Sequence, residues 1–215
     1  MNRIPVPVIA DIIGSRGLDD RNQSQGRIVA TLFRVSEVIP PNQKWTPTVG
    51  DEFQGAYASV PDALRATLLI HLLLPTGLDL RFGIGQGDIR SIEPEGRIQD
   101  GPGWWAAREA IERAHRLGAG SGQTLRSWFC RDPSQDDVDT SESTINSYLT
   151  ARDFMVTSLS ERSRNIGAAL LQGKTQAVIA TELDITQSAV SQTIRRHGFA
   201  ALKAGWDALT EEGTC

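Results

Sequence analysis

Thr175–Arg196, TQAVIATELDITQSAVSQTIRR, is the stretch on which the reading of this chain turns. Lys174-Thr175-Gln176 opens a run in which Val178, Ile179, Ala180 and Leu183 share one helical face. Asp184-Ile185 breaks it, Thr186 supplies a fresh cap, and a second helix runs through Val190 and Ile194 until Gly198 stops it. Two short helices joined by about three residues, with small Ala180 at the crossing and Ile185 plugging the turn, have the packing of a helix-turn-helix, here spanning roughly Glu161 to His197.

The second helix leaves Gln187, Ser188, Ser191, Gln192 and Arg195 facing outward, side chains able to bond base edges and phosphates in a major groove. Arg196 and Lys174 stand better for backbone phosphates. A plain three-helix bundle used for packing or dimerisation would serve the same core pattern. The Gln/Ser/Arg face, where such a bundle would carry apolar residues, favours DNA. The formal charge of −4 excludes a strong overall basic field, so any DNA contact is local. From Ser143 onward there are 7 basic and 7 acidic side chains, and the acidity lies upstream.

Working back from this motif, Asp132, Asp136, Asp137, Asp139 and Glu142 stand among serines and a proline with hardly any apolar residue, the composition of a solvated linker. Three parts are expected: 1–131, a linker at 132–142, and 143–215 carrying the helix-turn-helix. In the first part, Ile4–Ile13 reads as a buried strand closed by Gly14-Ser15. An amphipathic helix follows from Asp19 through Ile28, Leu32, Val35 and Ile39. WTPTV and FQGAYA flank Gly50-Asp51-Glu52 as a hairpin, and Ser59-Val60-Pro61-Asp62 starts a leucine-rich helix.

Leu78–Ile89 alternates as a strand whose glycines Gly83, Gly85 and Gly87 allow something to approach closely. A loop through Glu93–Gly96 leads to a helix through Ala107, Ile111 and Ala114, and Leu125–Cys130 reads as a last strand. The order predicts an α+β sandwich, with helices on one side of a mainly antiparallel sheet, followed by an all-α part.

Asp11 ends the first strand and Asp51 sits at the hairpin tip, so a ferredoxin-like arrangement brings both carboxylates to adjacent central strands, where they can hold Mg²⁺ (or Mn²⁺) against a triphosphate. Turn chemistry is the plainer account of an Asp beside Gly. The ordered set VIADIIGS, TVGDEFQG, RFGIGQG and GPGWWAARE resembles the class III nucleotide cyclases and the wider palm-domain family over roughly residues 4–116. That resemblance implies metal ligation by Asp11, Asp51 and the backbone at Ile12, and stabilisation of the reacting phosphate by Arg108 as the catalytic residue. With it go nucleotide contacts from Gly14, Ser15, Arg16, Gly50 and Trp104. Where that family has a lysine and an asparagine, this chain has Pro47 and Trp104.

The motif at Thr175–Arg196 is similar to the helix-turn-helix of sigma-factor region four and of many bacterial repressors. Taken together, DIIGSR, GDEFQG and the C-terminal motif resemble the SatD family over nearly the full chain. The expectation is a bacterial transcriptional regulator whose degenerate cyclase-like part binds a purine nucleotide and a divalent metal, acting as a homodimer. The alternative is a Mg²⁺-dependent nucleotidyl cyclase or nucleotidyltransferase, a phosphorus–oxygen lyase, with an accessory helix-turn-helix. GIGQG fits neither the dinucleotide fingerprint nor a P-loop, and His71, His115 and His197 lack partners at zinc-ligand spacing. Two distant cysteines and no long apolar run predict a reduced, cytoplasmic protein without a membrane span.

Overall fold

The computed structural model describes residues 4–17, 20–48, 50–92, 99–119, 123–134 and 141–212, the side chains of Arg16 and Glu212 excepted. The expected loop at Glu93–Gly96 and most of the acidic linker, 135–140, lie outside these residues. Strand β1 (Val6–Ile12) leads through a single 3₁₀ turn (Ser15–Gly17) into helix α1 (Arg21–Val38). The hairpin β2 (Gln43–Pro47) and β3 (Glu52–Tyr57) follows, then α2 (Val60–Leu73) and β4 (Leu80–Gln86). A short pair, β5 (Arg90–Ser91) and β6 (Gln99–Asp100), precedes α3 (Pro102–Gly118) and β7 (Ser127–Arg131). The rest is helical: α4 (Glu142–Thr157), α5 (Glu161–Leu171), α6 (Gln176–Glu182), α7 (Gln187–Arg196) and α8 (Phe199–Glu212).

Helix starts follow the capping residues. Asp20, Ser59 and Thr186 each accept a bond from the backbone N–H three residues on, satisfying donors that α1, α2 and α7 would otherwise leave unpaired.

The chain is α+β, with one five-stranded sheet ordered β2-β3-β1-β4-β7. β1 lies antiparallel to both β3 and β4, and β2 antiparallel to β3. β7 is parallel to β4, reached by a crossover through α3, and this makes the sheet mixed.

The expectation of helices on one side is corrected here. Val8, Ala10 and Ile12 of β1 join a core with Ile28 and Leu32 of α1 and Leu64 and Leu68 of α2. Ile9, on the opposite face, packs instead with Trp104, Ala107 and Ile111 of α3. Helices therefore cover both faces. The physical reason is in β4: a Cβ on Gly83 would stand 2.3 Å from the Ala107 carbonyl oxygen, and one on Gly85 2.3 Å from that of Gly103. The close approach foreseen for these glycines is that of α3 itself, backbone on backbone.

The C-terminal helices share the core. α4 lies along the β7 edge, where the Asn146 amide accepts from the Phe129 N–H at 2.8 Å and donates to the Phe129 carbonyl at 2.9 Å. Arg152 and Asp153, both fully buried, pair at 2.9 Å, and Asp153 also accepts from the backbone N–H groups of Arg126 and Ser127. A buried pair of this kind holds only because its remaining bonds are made. One apolar cluster runs from Val6 in β1 to Trp206 in α8, through α2 and α5.

Candidate functional site

The β1–α1 junction and the tip of the β2–β3 hairpin enclose a polar cleft of about 200 Å³. Its walls are Ile12, Ser15, Gly50 and Asp51 from the expected set, together with Arg21, Asn22 and Gln25 from the first turns of α1. Gly14 (φ 71°) and Gly50 (φ 83°) adopt left-handed backbone, which glycine takes without strain and which lets the chain turn sharply on each side of the cleft. The Gln25 side-chain amide donates to the Gly50 carbonyl at 3.3 Å and ties helix to hairpin. Arg16 lies in the 3₁₀ turn, and its side chain is outside the described residues.

Asp11 lies just behind this cleft, in register with Glu52 on one side and Arg81 on the other. Arg81 Nη1 donates to both of its carboxylate oxygens, at 3.2 and 2.9 Å. Burial raises the Asp11 pKa above the ordinary carboxylate value and the nearby charge of Asp51 adds to that, while Arg81 opposes it. Arg108, projecting from α3, grips Glu52 through Nη1 and Nη2 at 2.7 and 2.8 Å. Its own pKa is raised, first by that bond, with Asp11 contributing. Asp11, Glu52, Arg81 and Arg108 thus form an alternating charge cluster over three adjacent strands and α3.

Trp104, expected at a nucleotide base, is only 8% exposed, packed on Ile9, Ala107 and Ile111 with its Nε1 bonded to Gln99. The exposed ring is that of Trp105, 61% exposed, with its Nε1 donating to Asp100 at 2.7 Å. Glu52 and Arg81 were missed from sequence. Strand alternation carried the signal, because Arg81 stands between core Leu80 and Phe82 and must point to the α3 face, as Asp11 does.

At the other end of the chain, α6 and α7 are joined by a turn in which Asp184 takes φ 51°. Ile179, Ala180, Val190 and Ile194 are buried between them. Gln187, Ser188, Gln192, Arg195 and Arg196 are exposed and Ser191 is half-buried. Lys174 is bound by both Glu182 oxygens at 2.7 Å.

Fold and surface together define an α+β protein with a carboxylate–arginine cluster on a mixed sheet and an exposed polar helix, α7, among the C-terminal helices. The chain belongs to the SatD family, whose profile matches residues 5–203, from the first strand into the last helix. No curated protein matches it. Among the described residues no helix is long and apolar enough to cross a membrane.

Proposed function

We propose that this protein is a DNA-binding transcriptional regulator that senses a purine nucleotide. The observation that carries the reading is α7: an acid-free helix, QSAVSQTIRR, held by Val190 and Ile194 and turning its polar face outward after a tight left-handed turn at Asp184. Read as the second helix of a helix-turn-helix, it offers Gln187, Ser188, Ser191 and Gln192 to base edges and Arg195 and Arg196 to phosphates. The two-fold use of such motifs on DNA supports a homodimer.

For the sheet part, the order β2-β3-β1-β4 with α1 and α2 on one face supports a ferredoxin-like reading, and with it the likeness to cyclase and palm domains. The donors near the cleft are Asp11, Asp51 and the carbonyl of Ile12, an oxygen set that suits Mg²⁺. Among the described residues no three metal-ligating side chains of the Asp, Glu, His or Cys type converge. Two carboxylates fit a Mg²⁺ that arrives with phosphate oxygens completing its shell, which is how Mg²⁺ is commonly held. Arg21 and the N-terminus of α1 face the same space and favour an anion there. The ion pairs of Arg108 with Glu52 and of Arg81 with Asp11 favour sensing over turnover, because the arginine that would stabilise a reacting phosphate is already engaged.

The test has two arms on the full chain. Duplexes selected from a random pool should bind wild type and lose binding in Arg195→Ala/Gln192→Ala. ATP or GTP with Mg²⁺ should raise Tm in wild type and leave Asp11→Ala/Asp51→Ala unmoved. No selected duplex from the pool overturns the DNA reading, and a cyclic or linked nucleotide product that is lost in the double mutant makes the sheet part an enzyme.

A further inference from the structure

Where α2 ends and α5 begins, a second cleft of about 330 Å³ opens between the α2–β4 connection and the ends of α4 and α5. Thr76 and Asp79 of the α2–β4 connection form one wall, Thr157 of α4 another, and His71 and Arg164 close it. It shares no lining residue with the cleft near Asp51.

Arg164 is the arginine in its lining, and two more stand behind it, close enough to act on His71. Arg126 is neutralised by Asp79 at 2.6 Å, and Arg152 by Asp153 at 2.9 Å. Arg164 forms no ion pair among the described residues: Glu161, one turn earlier, is engaged by the Thr76 hydroxyl. The Nη1 of Arg164 makes one long bond, 3.4 Å, to the His71 carbonyl, and its Nε is buried without a partner. Arg164 lines the cleft, and beyond the long Nη1 bond its guanidinium makes no other hydrogen bond among the described residues, so its terminal nitrogens keep donor capacity for a ligand there.

We propose that Arg164 anchors a binding site for a small oxyanion, a carboxylate or phosphate compound, in this cleft between the sheet part and α5. The guanidinium fork matches both oxyanions in two-point geometry. The volume lies at the lower end of small-molecule sites, about 300–1,000 Å³, so the ligand is a metabolite and not a chain segment. His71 supplies a second polar group. Burial is the largest cause holding its imidazole pKa well below the usual value, with the positive charges of Arg152, Arg126 and Arg164 adding. Phe82 packs on its ring and the Ser127 hydroxyl lies 3.5 Å from Nε2. Because α5 packs directly on α7, a ligand bridging the α2–β4 connection to α5 acts on the orientation of the helix proposed to read DNA.

The experiment is calorimetric titration of the full chain with inorganic phosphate and with succinate, at constant ionic strength set by chloride. At least one should bind saturably at one site, about tenfold more weakly in Arg164→Gln and intermediately in Arg164→Lys, which keeps the charge without the fork. If Arg164→Gln loses its circular-dichroism signal, the Lys variant carries the comparison. No saturable binding of either anion by wild type, or an unchanged Kd in the Arg164 variants, overturns the site. None of these readouts involves DNA or a nucleotide, so the test stands apart from the proposed function.

Discussion

Arg108 of α3 and Glu52 of β3 are joined by two parallel bonds, one residue past the aspartate at the hairpin tip and one strand over from Asp11. The arginine that the cyclase likeness assigns to phosphate is therefore held by an acid of the same chain, just as Arg81 holds Asp11. The cluster is charge-balanced as it stands, and a nucleotide bound as proposed would have to compete with Glu52 for Arg108.

Glu52→Gln should release Arg108 and tighten Mg²⁺–nucleotide binding several-fold, while Arg108→Ala weakens it. Folding stability should fall by no more than about 1 kcal/mol in either variant, since the pair is partly solvated. Thermal-shift titration against ATP and GTP reads both effects. Weaker binding by Glu52→Gln would instead place Glu52 among the metal ligands.

Gly83→Ala tests the contact that puts α3 against the sheet. The new methyl would meet the Ala107 carbonyl at 2.3 Å and the Ile111 nitrogen at 2.4 Å, atoms of a helix backbone that cannot step aside singly. A loss of about 3 kcal/mol or more is expected, near the upper end for overpacking, measured by urea denaturation. Gly26→Ala, with open space at its Cβ and a helical backbone, should stabilise by about 0.5–1 kcal/mol.

Much of this architecture is legible in the sequence because it is local. The cap at Ser59, the Gly50–Asp51 hairpin and the Val190/Ile194 stripe each involve only residues close together in the chain. The side of the sheet on which α3 packs is not local. It follows from Gly83 and Gly85 meeting a helix some twenty residues later, and glycine spacing signals a close approach without naming what approaches. The same holds at the candidate site. Asp11 and Asp51 stand out by their neighbours in sequence, whereas Glu52 and Arg81 acquire their roles from strand register. Asn146 gives no sequence hint of its bond to Phe129, 17 residues upstream.

Asn146→Leu removes both halves of that bond and leaves the Phe129 N–H and carbonyl of edge strand β7 buried without partners. An unmet buried backbone group costs about 1–3 kcal/mol. A loss near 2–4 kcal/mol is expected in denaturant titration, along with faster aggregation on heating as the strand edge opens.

His71 sets an acid limit on stability. It is neutral and buried in the folded chain, with its pKa lowered by burial and then by Arg152, Arg126 and Arg164 from an ordinary value of 6.5. Below about pH 6.5 the unfolded chain takes up a proton that the folded chain does not, so unfolding free energy falls with decreasing pH until the lowered folded value is reached. Above pH 6.5 the imidazole is neutral in both states and contributes no slope. His71→Gln should flatten the stability profile between pH 6.5 and pH 5 while leaving it nearly parallel to wild type from pH 7 to 8. An unchanged acid slope in the variant would assign the loss to the carboxylates.

The α7 surface makes the sharpest division among its own residues. Arg195 and Arg196 are exposed at the end of the helix, whereas Lys174 already holds Glu182 through two contacts at 2.7 Å. If α7 enters a major groove, Arg195→Ala should weaken binding to a selected duplex by about 1–3 kcal/mol where it meets a base. Should it meet phosphate instead, affinity should fall on all sequences alike and the salt slope by about one. Lys174→Ala should do little, because any phosphate contact must first displace Glu182. Ser188→Glu puts a carboxylate among the phosphates and should abolish binding with no change in Tm, since Ser188 is exposed. Fluorescence anisotropy on a labelled duplex between 50 and 200 mM salt distinguishes these outcomes, the range over which phosphate-driven binding changes most visibly. Equal losses from Lys174→Ala and Arg195→Ala would move the contact from α7 to the α5–α6 corner.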